Sequence, residues 1–131
     1  MKLDGKSRKD IGEMGEKVAR EYLRRQRFSI VDKNVRRKIG EVDIIAKSKE
    51  SLHFVEVKSI VCNDFPDKDS LRDEFDPSVN LHPYKIQKVA RIAEWYVAEK
   101  DWEGEWQVDG LLVWLRRRDG MARVAYLPQI V

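Results

Sequence analysis

The chain has 131 residues, 42% of them apolar, with 26 Lys and Arg against 23 Asp and Glu. That length and apolar fraction suit one domain, residues 1–131, around one buried core. Apolar runs such as Leu111 to Leu115 are too short to span a bilayer, and Met1 to Lys6 lacks the apolar stretch of a secretory leader. A cytoplasmic protein without a membrane partner is expected. The single cysteine, Cys62, excludes an internal disulfide and has no Cys or His at zinc-site spacing.

The net charge of +3 hides an uneven distribution. Residues 1–60 carry 16 Lys and Arg against 10 Asp and Glu, while residues 61–81 carry two against six. A basic half suits a polyanion, because phosphate contacts release counterions; a solvated charged face explains the same residues.

In chain order, Ile11, Met14, Val18, Ala19, Tyr22 and Leu23 recur at helical spacing and predict a helix to Arg25, with Asp10 as its N-cap. Glu16 falls at the edge of the apolar stripe, where it can overlook a cleft, and Glu13 points away. Phe28 to Asp32 alternates as a first strand, followed by a basic turn with Asn34, Arg36, Arg37 and Lys38. Gly40 to Ala46 and Leu52 to Ile60 read as an antiparallel hairpin turning at Ser48 to Ser51. The stretch from Cys62 to Asn80 has no period and reads as a long acidic loop, about residues 61–81. Pro83 opens a second helix to about Lys100, and Trp106 to Leu115 and Ala122 to Leu127 close the chain as strands. The order α-β-β-β-α-β-β predicts an α/β fold, a mixed sheet flanked by helices.

Glu56 and Lys58, two apart on one strand, share a face. Counting back from the turn sets Asp43 opposite Glu56, where facing Cβ atoms lie roughly 5 Å apart. Two carboxylates so placed repel unless a cation joins them, and Mg²⁺ accepts such a pair while keeping several waters. Lys58 would orient or help deprotonate a water, or neutralise developing charge. A cross-strand ion-pair cluster accounts for the same three residues. Apolar neighbours of both parities, Ile45, Leu52 and Phe54 against Val42, Ile44, Val55 and Val57, predict a hairpin covered on both sides, where charges demand partners.

Gly40-Glu41-Val42-Asp43-Ile44-Ile45-Ala46 followed by Phe54-Val55-Glu56-Val57-Lys58 resembles the active-site signature of the PD-(D/E)XK nuclease superfamily, with its restriction endonuclease-like fold. With Gly12-Glu13-Met14-Gly15-Glu16, Ala19, Tyr22-Leu23 and Asn34-x-Arg36, the chain is most similar to the YraN-like family, and its core is similar to that of Holliday junction resolvases. The resemblance implies Asp43 and Glu56 as ligands of Mg²⁺ or Mn²⁺, Lys58 as the catalytic lysine, Glu16 as an additional helix carboxylate, and Val57 as a carbonyl ligand. It implies hydrolysis of DNA, branched or single-stranded, and related junction-cutting enzymes work as homodimers. The chain departs from the pattern in its acidic loop, which would repel phosphate, and in Val42, which stands where a proline often precedes the aspartate.

Asn34, Arg36, Arg37, Lys38, Lys85 and Lys88 are the candidate nucleic-acid contacts, each also explained by solvation. His53 has the wrong parity for the site, and His82 suits a helix entry. Trp95, Trp102, Trp106 and Trp114 are expected to pack rather than stack on bases. A catalytically silent binding module and an interaction protein docking a basic partner through the acidic loop are the competing readings.

Overall fold

The structure is a computed structural model and describes residues 2–66 and 81–131. Its elements are α1 (Arg8–Arg25), β1 (Ser29–Arg37), β2 (Gly40–Ser48), β3 (Ser51–Cys62), α2 (Pro83–Glu99), β4 (Glu105–Arg116) and β5 (Ala122–Leu127). The five strands form one sheet in the order β1-β2-β3-β4-β5. All neighbours run antiparallel except β3 and β4, which are parallel from Ser51↔Glu105 to Cys62↔Arg116. A parallel pair needs a crossover, and α2 lies within it.

The helices cover opposite faces of the sheet. On one, α1 buries Ala19 and Leu23 against Ile44, Ala46, Val55, Leu111, Val113 and Leu115. On the other, α2 buries Val89, Ile92, Ala93 and Tyr96 against Ile45, Leu52, Phe54 and Val108. The central strands are therefore apolar on both sides, as their sequence predicts. Trp114 is buried, Trp95 and Trp102 pack against the α2 core, and Trp106 meets Phe54 edge-on, so packing accounts for the tryptophans.

Three boundaries differ from the expected ones. Helix α1 starts three residues earlier, because Ser7 is the N-cap: its hydroxyl accepts from the Asp10 N–H, and Asp10 accepts from the Ser7 N–H. Asp10 is thus the reciprocal member of a capping box rather than the cap. Strand β1 continues through the supposed basic turn to Arg37, and the turn shrinks to Lys38 and Ile39. An edge strand exposes most of its side chains, so charged residues there mimic a loop; a bulge between Ile30 and Asp32 hides the alternation further. The acidic loop begins only after β3 ends at Cys62, and its residues 67–80 lie outside the described residues. No helix among the described residues is long and apolar enough to cross a membrane.

Candidate active site

The β2–β3 hairpin has the expected register, from Ser48↔Ser51 through Ile44↔Val55. Pairing stops one step before Asp43 and Glu56. There the Asp43 carboxylate replaces a ladder carbonyl, accepting the Val57 N–H at 2.8 Å. The alternation expected of β2 also breaks here: Val42 packs on the α2 side, whereas Ile44 packs on the α1 side. Asp43 occupies the discontinuity, so it and Glu56 come together through a parting of the strands rather than as a regular cross-strand pair.

Glu56 is only 7% exposed. Burial first, then the charge of Asp43, raises its pKa to about 8, and a hydrogen bond to Asp43 acts in the same direction. Burial also raises the Asp43 pKa, opposed by hydrogen bonds from the Val57 N–H and from Glu56. The two carboxyls are both pushed upward and therefore share a proton, the arrangement of two acids too close to ionise together. The cation whose charge opposes both shifts is Lys85, from the first turn of α2.

Two glycines seat the helices that complete the site. A Cβ on Gly15 would collide with the Ser59 hydroxyl, so α1 can rest directly on β3. That contact holds the next residue, Glu16, at the cleft. Glu16 is half-buried, and its pKa is raised by burial and by Asp43, against Arg20 and a hydrogen bond from Asn34. On the other face, a Cβ on Gly40 would collide with the Lys88 carbonyl oxygen. The close approach brings the start of α2, with Lys85, over the same end of the hairpin.

The result is an open cleft of about 880 Å³ with Asp43, Glu56, Val57, Lys58 and Glu16 in its walls. Lys6, Arg8, Arg36 and Lys85 line it as well. Lys58, expected on the same covered face as Glu56, is exposed in the cleft wall where Glu56 is buried. Five cations thus surround four carboxylates, the fourth being Glu41, which pairs with Arg36 at 3.7 Å. Of the expected nucleic-acid contacts, Arg36 and Lys85 reach this cleft. Arg37 instead lies over Trp95, Lys88 lies over Tyr84, Lys38 sits in the β1–β2 turn, and Asn34 bonds Glu16. Lys6 and Arg8 escaped sequence reading, since nothing in their spacing ties the chain's start to the hairpin.

Among the described residues, no group of three or more His, Cys, Asp or Glu is close enough to hold an ion alone. The donor set that fits a divalent cation is narrower: the paired carboxylates Asp43 and Glu56. A cation would replace their shared proton, and Mg²⁺ is content with one or two carboxylates because it retains water.

A family model described as "Uncharacterised protein family UPF0102" matches residues 15–119. The chain belongs to this family. Curated UPF0102 proteins from Sulfurovum sp. (strain NBC37-1) and Syntrophotalea carbinolica are 35% identical over 106 residues and 33% identical over 126. These alignments cover 80% and 92% of this chain, and 84% and 90% of the relatives. A UPF0102 protein from Caldanaerobacter subterraneus is 37% identical over 97 residues, 74% of this chain and 72% of its own. The UPF0102 span includes Glu16, Asp43, Glu56, Lys58 and Lys85; Lys6 and Arg8 lie outside it.

A second polar cluster in this UPF0102 protein also went unread. His53 Nδ1 lies 2.7 Å from Asp109 Oδ2, and the Tyr126 hydroxyl donates to the same carboxylate. Gln107 and the Gln129 N–H complete its shell at 2.7 and 2.9 Å. Burial would raise the Asp109 pKa, but these hydrogen bonds outweigh it and hold it below the usual range. His53 is thus buried and structural, on the opposite side of β3 from Glu56. His82 caps α2, as its position before Pro83 predicts.

Proposed function

We propose that this UPF0102 protein is a Mg²⁺- or Mn²⁺-dependent endonuclease of the PD-(D/E)XK type, hydrolysing phosphodiester bonds in DNA. The reading rests on a buried carboxylate pair at a parting of two strands, in a cleft whose walls carry Lys6, Arg8, Arg36, Lys58 and Lys85. Burying two acids together is costly, and a fold-stabilising role would be served better by apolar side chains. The arrangement is useful where a cation takes the proton's place.

Asp43 and Glu56 would hold the ion, with Glu16 in the same cleft and the Val57 carbonyl as the further ligands that the PD-(D/E)XK resemblance implies. When bound, such an ion lowers the pKa of water and withdraws charge from the phosphate. Glu56 releases its proton as the cation enters, so binding tightens as pH rises. Lys58, at the cleft mouth, orients the attacking water and offsets charge on the phosphate oxygens. Lys85 and Arg36 hold the adjoining phosphates, the point charge of lysine and the fork of arginine serving different geometries.

The purified protein is expected to cut branched or single-stranded DNA with Mg²⁺ or Mn²⁺, and Glu56→Ala and Lys58→Ala each to lose at least about a hundredfold of that activity. Undiminished cleavage by both variants would sink the proposal. Among the described residues no three carboxylates lie close enough to hold an ion alone, which favours one alternative, a scaffold that binds nucleic acid without cutting it. It is distinguished by DNA binding that is indifferent to divalent metal and accompanied by no cleavage.

A further inference from the structure

We infer that the first turn of α2 is a docking platform for an unpaired nucleobase, which makes a single-stranded or frayed DNA segment the preferred ligand of the cleft. Tyr84 is 56% exposed, unusual for a ring that could have joined the adjoining core. It directly precedes Lys85, which lines the cleft of Asp43 and Glu56. One turn on, the Lys88 ammonium stands 4.7 Å from the centroid of the Tyr84 ring. With Lys88 over one face of a ring that is more than half exposed, the other face is left for a base, while Lys88 and the neighbouring Lys85 offer ammonium groups to its phosphates.

The platform is held ready. Pro83 fixes the first helical position, and His82 Nδ1 accepts the Tyr84 N–H at 3.2 Å. Gly40 permits the close contact with the Lys88 carbonyl that seats the following turn of the helix on β2. Continuity with the cleft then gives the strand a direction: a base on Tyr84 sets its neighbouring phosphate at Lys85, beside the carboxylates. Duplex DNA keeps its bases stacked inside and offers Tyr84 no face, so it can use only the lysines. The direction of the strand rests on the nuclease reading, whereas the base platform stands on Tyr84 and its lysines.

The test is fluorescence anisotropy with a fluorescein-labelled oligothymidylate and a blunt hairpin duplex, in EDTA so that neither is cut. Wild type should bind the single strand more tightly. Tyr84→Ala should weaken single-strand binding about tenfold and leave duplex binding unchanged, while Tyr84→Phe, which keeps the ring, should bind as wild type does. Circular dichroism melting identical to wild type would show that the Ala variant is folded, as its exposure predicts. Preference of wild type for the duplex, no single-strand binding, or equal effects of Tyr84→Ala on both ligands would overturn the inference. Cleavage with Mn²⁺ is scored separately: Tyr84-dependent binding without cleavage defeats the nuclease reading and upholds the platform, and cleavage with no dependence on Tyr84 does the reverse.

Discussion

Glu56 carries its proton at pH values where the unfolded chain has already lost it, because its folded pKa stands near 8 against an ordinary value of 4.5. A raised carboxyl pKa stabilises the fold fully below the ordinary value, and that contribution is lost as pH rises from there to about 8. Each unit is worth about 1.4 kcal/mol, so the loss reaches a few kcal/mol at the upper end. In EDTA the wild-type Tm is therefore expected to fall between mildly acidic and weakly alkaline pH. Glu56→Gln, which keeps a donor toward Asp43 and never ionises, should flatten that slope and melt higher than wild type at its upper end. Added Mg²⁺ should restore wild type there and leave Glu56→Gln unmoved; a level wild-type profile would show that the carboxyls do not share a proton. The residues behind this behaviour were partly legible in the sequence. Spacing put Glu56 and Lys58 on one face, and counting from the turn put Asp43 near Glu56. The parting of the strands was not, since alternation presumes a regular ladder and Asp43 breaks it by accepting the Val57 N–H.

Helix placement depends on two backbone contacts of different kinds. At Gly15 the obstacle to a side chain is the Ser59 side chain, while at Gly40 it is a carbonyl of α2 that cannot rotate away. Gly15→Ala should cost about 1–3 kcal/mol as overpacking, and Ser59→Gly in the same chain should recover most of it. Gly40→Ala should cost a similar amount with no single side-chain substitution to relieve it, and should weaken the proposed cleavage by moving Lys85 off the carboxylates. Chemical denaturation of the single and double variants measures both; full additivity of Gly15→Ala and Ser59→Gly would show that these residues do not meet. Sequence periodicity located α1 and even phased Glu16, because an apolar stripe records the buried face directly. It offered Lys85 as a nucleic-acid contact without placing it beside Asp43 and Glu56. That proximity arises only when the parallel crossover returns α2 across β2, a consequence of topology that no local pattern contains.

At the scale of the whole molecule, the two polar clusters divide the labour of the sheet. Asp43 and Glu56 lie where β2 and β3 part, near the starts of both helices, and are unsatisfied without a proton or a cation. Asp109 is fully buried and satisfied, joining β3 through His53, β4 through Gln107, β5 through Tyr126 and the tail through Gln129. The rings of Phe28 and Tyr22 close around it from the end of α1, in edge contacts with His53 and Tyr126. Four segments meet on one carboxylate and a fifth packs around its partners, which explains why a sequence read locally passes it by. The Asp109 pKa is depressed, so its contribution is present above the ordinary carboxylate range and is lost as pH falls through the folded value, opposite in sign to Glu56. Asp109→Ala leaves His53 and Tyr126 without their acceptor and should cost about 3–5 kcal/mol, as breaking a buried charged network does. The loss should appear as a lower urea midpoint with the m-value unchanged, and the proposed cleavage by the remaining folded protein should proceed near the wild-type rate. A variant that melts normally but no longer cuts would place Asp109 in the chemistry instead, and would join the two ends of the sheet into one functional unit.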